Sequence, residues 1–420
     1  MQKILLLIAS LFYFNFILAE NEIKSWQGIH ETPLSRLEQQ FAEPPVEFAN
    51  HVIWGWEGKM DKKTICNDLD SIKKKGFRAV IFEAGYKLPF KYLSEEWFKA
   101  IRTGVLEAKK RGMKVWIIDE GKYPSGFAGG KFSQERPDLR MQALVIGDTI
   151  QVKRGEVMTN HKIAPEIISA VAVSTSGAPN RTVAINNGEI SFNAGLDDWK
   201  ILLVKSDFRT AVTRAVNNPN GGKDATNSLC DYLNPIAVQQ FIDWTHEQYK
   251  KYLGKELGTT VLGFRGDEPD YAHLPWTPSI VQTFKDTKGY DPTPYLASFF
   301  TTSPTIQEQR VKADYWDVWS SLFATHFFKL QADWCAANGV AHITHLNKEH
   351  EMPACVKAEG DYFRNLSKVQ IPGVDAIWNQ IWPGILNDFP KLASSVAHVY
   401  GKPRAFSESF ARSEEHTSEL

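Results

Sequence analysis

The sequence predicts an α/β fold, a (β/α)8 TIM-type barrel truncated before its eighth strand, with a β-rich domain inserted between strands three and four. Five times the chain passes from a helix through a glycine into a short apolar strand that ends in a polar residue. Glycine commonly follows the last turn of a helix, and continuous apolar strands between helices are typical of covered parallel sheets. Over residues 141–230 the alternation of helix and strand is replaced by short strands separated by Asn, Gly and Pro turns, which indicates antiparallel β structure.

Seven barrel strands are predicted from apolar runs, whereas a closed barrel needs eight. They are residues 51–56, 78–83, 114–119, 261–267, 341–345, 375–378 and 403–408. Helical periodicity lies between them, as in the helix capped by Asp61, whose Ile65, Leu69 and Ile72 form one apolar stripe. A long aromatic-rich helix is predicted over residues 313–338.

The composition of the chain changes at several points, which predicts its domain boundaries. Residues 1–19 contain Lys3, an apolar run and a closing Ala19, and predict a secretory signal peptide. We therefore expect an exported protein, either periplasmic or secreted. The segments that follow are a lead-in at 20–46, barrel strands one to three at 47–140, the inserted β-rich domain at 141–230, barrel strands four to seven at 231–411, and a tail at 412–420.

The tail at residues 412–420 has the sequence of a translated sequencing-library adapter. We therefore expect the tail to be non-native, and the chain to be a fragment whose genuine sequence continues past Ala411. The alternative interpretation is an acidic tail that forms a helix.

Composition excludes several classes of protein. The chain has 420 residues, a net charge of -1 and 43% hydrophobic residues, so it is neither disordered nor basic enough to predict nucleic-acid binding. After the predicted signal peptide no apolar run approaches the length of a membrane span. The four cysteines lack CxxC spacing, so we predict neither a cysteine metal site nor a disulfide.

Six short motifs carry a resemblance to a known family: Trp54-Gly-Trp56, Asp119-Glu120-Gly, Tyr123-Pro-Ser-Gly126, Asp231-Tyr-Leu-Asn-Pro235, Gly266-Asp-Glu-Pro269 and Ser407-Glu-Ser-Phe410. Over residues 47–411 the chain resembles exported bacterial glycoside hydrolases, in particular the α-L-rhamnosidase-like group of family 106. The resemblance implies a (β/α)8 catalytic barrel, a glycan or polysaccharide substrate, paired glutamates and often an active-site calcium. Larger members of the group carry further β-sandwich domains.

Glu268 and Glu408 end strands four and seven and are the predicted catalytic pair. Glycoside cleavage needs one protonated carboxyl for the leaving oxygen and one ionised carboxyl as nucleophile or base. In the large retaining superfamily of glycosidase barrels, the glutamate of strand four is the acid/base and that of strand seven the nucleophile. That group usually has Asn before the acid, where this chain has Asp267. In the rhamnosidase-like alternative the reaction inverts configuration, and one glutamate could instead hold calcium or the attacking water, so the metal ligands stay open.

The predicted substrate-binding residues are polar or aromatic side chains at strand ends and in the loops beyond them. They are Trp54, Trp56, Glu83, Asp119, Glu120, Tyr123, Asp267, His345, Trp378, Asn379 and Trp382. Asp119 and Glu120 could contact sugar hydroxyls or calcium, or could be a pair that caps the loop. The tryptophans could stack on sugar rings, or could be core.

Three other functions compete with the rhamnosidase-like one. The first is a retaining exo-glycosidase of another specificity, and the second a non-catalytic glycan-binding barrel. The third is a metal-dependent hydrolase, which needs a His-x-His at the first strand, where this chain has His51 followed by Val and Ile. The sequence also lacks the Gly-x-Ser-x-Gly motif of serine hydrolases.

Overall fold

A curled sheet of parallel strands, half of a barrel in outline, forms the centre of the computed structural model. The structure describes residues 33–211, 213–215, 223–224, 226–271, 274–377 and 387–409. The predicted signal peptide and the tail at residues 412–420 lie outside these ranges. Within them, no helix is long and apolar enough to cross a membrane.

The central sheet has seven strands, which are β1 (His51–Trp56), β2 (Ala79–Ala84), β3 (Lys114–Ile118), β14 (Val261–Asp267), β16 (Ala341–His345), β17 (Ile371–Ala376) and β18 (Phe406–Ser409). They lie in the order β1-β2-β3-β14-β16-β17-β18, and every neighbouring pair is parallel. Because all seven strands run in the same direction, their carboxyl ends lie at one edge.

Helices connect and cover these strands. The helices are α1 (Leu34–Ala42), α2 (Lys62–Lys74), α3 (Glu95–Lys110), α4 (Lys131–Glu135), α5 (Pro235–Trp244), α6 (His246–Leu253), α7 (Ile280–Lys288), α8 (Ile306–Leu322), α9 (Lys329–Ala337), α10 (Met352–Glu359), α11 (Tyr362–Leu366) and α12 (Leu392–Val399). Asp61 caps α2 by accepting a hydrogen bond from the backbone N–H of Thr64 at 2.9 Å, as the sequence predicted. The long helix predicted over residues 313–338 corresponds to α8 and α9, joined by a π-helical stretch at Phe323–Phe328.

Antiparallel strands make up most of the segment between β3 and α5, which also contains α4. The strands are β4 (Lys122–Tyr123), β5 (Gln142–Val152), β6 (Val157–Lys162), β7 (Ile167–Ser174), β8 (Arg181–Thr182), β9 (Ile185–Asn186), β10 (Glu189–Asn193), β11 (Trp199–Phe208), β12 (Thr213–Ala215) and β13 (Lys223–Asp224), with β15 (Pro275–Trp276) added to β5 after β14. Most of β11 is sandwiched between β5 and β7, and Trp199 and Ile201 pack in a core separate from that of the parallel sheet. The exact boundaries of an inserted domain stay a prediction.

Two of the seven parallel strands begin at least three residues from their predicted start. The sixth parallel strand begins at Ile371 rather than at residue 375, and the seventh begins at Phe406 rather than at residue 403. Pro372 and Gly373 disrupt the apolar pattern and hide the start of β17. The glycine is needed because a Cβ there would lie 2.1 Å from Cε1 of Phe406 on the neighbouring strand.

The two faces of the parallel sheet bury different residues, alternating with the two-residue period of a strand. One face packs against α2 and α3 and includes Trp56, Val80 and Phe82. The other face holds a second core that includes Ile81 and Ile118.

The segments before the first and the seventh parallel strand are in direct contact. Nη1 of Arg404 donates a hydrogen bond to the carbonyl oxygen of Glu47 at 2.7 Å. The same guanidinium lies 4.1 Å from the centroid of the Phe48 ring.

Candidate active site

The carboxyl-end edge of the parallel sheet gathers the charged side chains of four strands. Glu83 lies near the end of β2, Asp267 at the end of β14, His345 at the end of β16 and Glu408 on β18. These four positions were predicted from the sequence. A fifth charged residue, Arg265, lies on β14 among them and was missed.

Arg265 is a buried cation, with 2% of its surface exposed. One terminal nitrogen of its guanidinium hydrogen-bonds Oε2 of Glu408 and lies 3.0 Å from Nε2 of His345. The same nitrogen lies 3.6 Å from Oδ1 of Asp267. A buried guanidinium requires carboxylate partners, so an arginine inside an apolar strand was the sequence feature that could have indicated this cluster.

His345 lies between the two predicted catalytic glutamates. Its Nε2 is 3.1 Å from Oε2 of Glu408 and 3.3 Å from Oδ1 of Asp267. Its Nδ1 is 4.0 Å from Oε1 of Glu268 and 3.7 Å from Oε1 of Glu349. Burial acts to lower the pKa of this imidazole, but hydrogen bonds with Asp267, Glu349 and Glu408 raise it well above its usual value. The raised pKa favours the protonated imidazole, which lies 3.1 Å from Glu408 and 4.0 Å from Glu268.

Glu408 is held as a carboxylate. Burial acts to raise its pKa, but the charge of Arg265 and the hydrogen bond and charge of His345 outweigh burial and lower the pKa to about 2. The carboxylate is 17% exposed, so it can still meet a molecule that enters the site.

In contrast to Glu408, Glu268 favours its protonated form near neutral pH. Burial raises its pKa to about 8, the charge of Asp267 acts in the same direction, and His345 and a hydrogen bond with Tyr123 only partly oppose them. Nδ2 of Asn347 donates to the hydroxyl of Tyr123 at 3.3 Å. Glu268 also has a φ of +38°, a backbone conformation that side-chain-bearing residues rarely adopt. Such local strain is commonly found at functional sites.

Comparison with known proteins identifies the family. A sequence profile of glycoside hydrolase family 106, described as alpha-L-rhamnosidase, matches residues 181–418, more than half of the chain. The chain belongs to glycoside hydrolase family 106. The match includes β14, β16 and β18, and so covers both glutamates.

Two known proteins are similar over most of this family 106 chain. The rhamnosidase from Novosphingobium sp. PP1Y has the same fold, with a TM-score of 0.65 and 15% identity over 90% of this chain and 53% of the rhamnosidase. A protein of Formosa agariphila, provisionally assigned as a beta-glucuronidase, is 24% identical over 445 residues, which covers 92% of this chain and 36% of that protein. The family 106 chain thus spans about half of the first protein and about a third of the second.

The loop after β3 is hydrogen-bonded to the strand end that carries the site. Oγ of Ser125 donates to Oδ1 of Asp119 at 2.7 Å and accepts from the backbone N–H of Asp267 at 2.6 Å. Asp119 is fully buried, and burial raises its pKa well above the usual value. The carboxyl of Asp119 reaches the site through Ser125, and its contact with substrate stays a prediction.

Glu120 differs from its predicted role as a substrate contact in this family 106 chain. It is fully buried, and its carboxyl accepts hydrogen bonds from the backbone N–H groups of residues 121, 127, 128 and 129. Burial raises its pKa to about 7 although these four donors act to lower it. Its oxygens are occupied by the loop, which confirms the alternative of a loop-capping carboxylate.

The predicted stacking role of the β1 tryptophans is wrong for Trp56, which is fully buried. The ring of Trp56 lies 5.7 Å from that of Trp97 on α3 and 5.3 Å from that of Trp54. Both tryptophans share the helix-covered face of the sheet because their two-residue spacing is that of the strand. The other predicted aromatic wall, Trp378 and Trp382 with Asn379, lies outside the described residues.

Glu83 and Tyr123 lie beside the family 106 cluster. Oε1 of Glu83 is 2.8 Å from Nζ of Lys122, and both side chains are mostly buried. Burial raises the pKa of Glu83, and the charge of Lys122 opposes this. Lys122 was not singled out from the sequence, since a lysine in a glycine-rich loop usually faces solvent.

Two sets of donors lie where the calcium implied by the family could bind. Asp267, His345 and Glu408 bring ligand atoms within 4.8 Å of one another, but Arg265 lies in their midst and imidazole is a poor calcium ligand, so this set does not fit. Glu349 and Glu359 are buried, and each has one carboxyl oxygen without a hydrogen-bond partner. Orphaned hard oxygens suit calcium, so this second pair fits as part of a site completed by further oxygen ligands.

Proposed function

We propose that this family 106 chain carries the catalytic site of an α-L-rhamnosidase-like glycoside hydrolase that acts on glycans or polysaccharides. The observation that supports this most directly is that two glutamates at the carboxyl ends of parallel strands contact opposite nitrogens of one histidine, Glu268 at 4.0 Å and Glu408 at 3.1 Å. Glu268 has a pKa of about 8 and Glu408 a pKa of about 2, so near neutral pH one carries a proton and the other a charge. Glycoside cleavage requires this combination.

Glu268 is the general acid in this proposal. Its proton passes to the glycosidic oxygen as the bond to the sugar breaks, so the leaving alcohol departs neutral. Tyr123 hydrogen-bonds Glu268 and is itself held by Asn347, which restricts the orientation of the carboxyl.

Glu408 is the general base. It accepts a proton from a water molecule that attacks the anomeric carbon from the face opposite Glu268. The two carboxyls contact different nitrogens of His345, and we place that water between them. This arrangement favours inversion of configuration, since inverting enzymes space their carboxyls by ~6.5–9.5 Å and retaining enzymes by ~5–5.5 Å.

Glu349 and Glu359 would hold the calcium that the family implies. A calcium ion bound there would neutralise the buried carboxyls and could polarise sugar hydroxyls. Burial raises the pKa of Glu359, and the nearby charges of Asp270, Glu268 and Glu349 raise it further, so a cation would relieve this repulsion.

The barrel architecture and the export of the protein are also proposals. We place the seven parallel strands in a (β/α)8 barrel with an inserted β-rich domain at residues 141–230. The residues at 1–19 support export to the periplasm or beyond the cell.

Hydrolysis of 4-nitrophenyl α-L-rhamnoside tests the proposal. Wild type should release nitrophenol, and Glu268→Gln and Glu408→Gln should each lose at least about 100-fold in kcat. Glu95→Gln, on the surface of α3, is the matched control and should keep full activity. Near-native turnover of natural glycan by either site variant would remove that residue from the catalytic pair. Glycan binding without any turnover would favour the binding-protein alternative.

A second candidate, a β-glucuronidase, is favoured by Lys122 together with the similarity to the Formosa protein. The ammonium of Lys122 lies next to the site and could exchange its contact with Glu83 for the carboxylate of a uronic acid. Cleavage of 4-nitrophenyl β-glucuronide, lost in Lys122→Met while any rhamnoside activity is kept, would support this candidate.

A further inference from the structure

We propose that Arg265 is the positioning residue that holds Glu408 as a fixed carboxylate and leaves Glu268 to carry the catalytic proton. The inference rests on the proposed function, since it assigns the acid and base roles within that site. It adds a residue that acts through Glu408 rather than on the substrate.

The Arg265 guanidinium contacts Glu408 and its neighbours rather than Glu268. Its terminal nitrogen hydrogen-bonds Glu408 and lies within 3.0 Å of His345 and 3.6 Å of Asp267. Within the described part of the chain, Arg265 forms no ion pair with Glu268, although both residues are on β14 or at its end. The arginine therefore distinguishes between the two glutamates by geometry.

The charge on Arg265 is permanent, which suits this role. A guanidinium keeps its proton at every pH at which the protein is folded, whereas a buried lysine or histidine could lose it. Because the side chain is 2% exposed, water cannot replace the carboxylate as its partner. Glu408 must then stay ionised for the buried cation to be compensated.

Several other charged groups lie around the same guanidinium. Glu83 on β2, and Asp267 and Glu268 at the end of β14, favour its charged form electrostatically, and His345 on β16 lies 3.0 Å from it. From β17, Asp375 acts on Glu408 and His345. Asp375 is paired in register with Glu408, and burial raises its pKa to about 7, so it takes up a proton more readily than Glu408 does. Among these carboxyls, Glu408 has the shortest contact with Arg265.

A pH profile separates positioning from bulk structural support. In Arg265→Met, kcat should fall at least about 100-fold, and kcat/KM should show an acidic limb above about pH 4, where wild type shows none from Glu408. Arg265→Lys keeps the charge and should show no such limb, with a smaller loss in kcat. A kcat/KM profile of Arg265→Met without this acidic limb overturns the inference.

A thermal-melting cycle tests the pairing without using activity. Arg265→Met should lower Tm much more in the Glu408 background than in the Glu408→Gln background, because the glutamine leaves no buried charge to compensate. If Arg265→Met does not fold but the double variant does, the pairing is supported; equal losses, or two unfolded variants, overturn it. Should Glu408→Gln stay active, the proposed function fails, and the melting cycle still decides the pairing.

Discussion

Ser125 and Asp267 are joined by two reciprocal hydrogen bonds. The backbone N–H of Ser125 donates to the carbonyl oxygen of Asp267 at 2.9 Å, and Oγ of Ser125 accepts from the backbone N–H of Asp267 at 2.6 Å. The loop after β3 is thereby fastened to the strand end that carries Glu268. The same hydroxyl donates to buried Asp119, which connects the loop to a second carboxyl.

Replacing Ser125 with alanine should loosen this connection. The variant leaves the buried Asp119 carboxyl without its donor and the N–H of Asp267 without its acceptor, so the free energy of unfolding should fall by about 1–3 kcal/mol. We expect kcat to fall about tenfold, with KM changed less, because the variant weakens the hydrogen bonds that position Glu268 but keeps its carboxyl group. Urea denaturation and steady-state kinetics measure both effects. Ser71→Ala, on exposed α2, is the control, and equal behaviour of the two variants would contradict the role of Ser125.

Replacing Glu268 with glutamine should have an effect that depends on the leaving group. Protonation matters least for 2,4-dinitrophenol and most for a sugar alcohol, so the loss in kcat should shrink as the leaving group becomes more acidic. The basic limb of the wild-type kcat/KM profile, near pH 8 where Glu268 loses its proton, should vanish in the variant. A constant loss across aryl glycosides would show that Glu268 is not the acid.

Replacing Glu408 with glutamine should reduce turnover equally for all leaving groups, because the step it assists is activation of water. With a pKa of about 2 in wild type, Glu408 is ionised over the whole stable range, so no acidic limb from it is expected above about pH 4. Proton NMR of the first sugar released by wild type reports the anomer, and we expect inversion. Azide should not rescue the variant through a glycosyl azide of retained configuration, whereas such a product would indicate a nucleophile.

The stability of the protein should fall as pH rises from about 4 to about 7. Burial raises the pKa of Asp231 to about 7, and that of Glu120 to about 7, above the values of an unfolded chain. In this window the folded protein binds more protons than the unfolded chain, so raising the pH favours unfolding. Melting curves across the window measure the slope.

Asp231→Asn supplies the control for this slope. The variant removes one of the titrating groups, so its Tm should depend less on pH than that of wild type. Oγ1 of Thr277 donates to Asp231 at 2.7 Å, and the asparagine oxygen can still accept that bond. A wild-type Tm that rises between pH 4 and pH 7 would contradict the assignment.

Calcium should stabilise the protein through Glu349 and Glu359. Adding millimolar CaCl2 to chelator-treated protein should raise Tm, since a ligand that binds the folded state stabilises it by mass action. Glu349→Gln combined with Glu359→Gln should abolish this shift, whereas Glu135→Gln on α4 should preserve it. An unchanged Tm in wild type would argue against a calcium site at these carboxyls.

The sequence predicted the parts of the site that depend on strand ends. Glu83, Asp267, His345 and Glu408 each follow or finish an apolar run, and parallel pairing then brings them to one edge. Arg265 is recognisable locally as an arginine inside an apolar strand, but the sequence does not reveal its partner, because Glu408 is 143 residues away. The pairing is a property of the folded sheet.

The predictions for Trp56 and Glu120 were wrong for a related reason. The sequence pattern does not show which aromatic and carboxyl side chains the fold buries. Trp54 and Trp56 share a strand face, as predicted, but the pattern does not say which face meets the helices. Glu120 looks like a catalytic carboxylate by position, yet the four backbone donors around it come from the turn of a loop, which residue types alone do not reveal.

The contact of Arg404 with Glu47 and Phe48 joins residues 357 positions apart in the sequence. Such a contact raises the contact order of the fold, and the entropy of closing so long a loop must be lost before the contact is gained. The segments flanking β1 and β18 therefore come together late during folding. Since Glu408 follows Arg404 by four residues, the base reaches Arg265 only when this closure is complete, and refolding should restore helical structure before it restores a site able to cleave a glycoside.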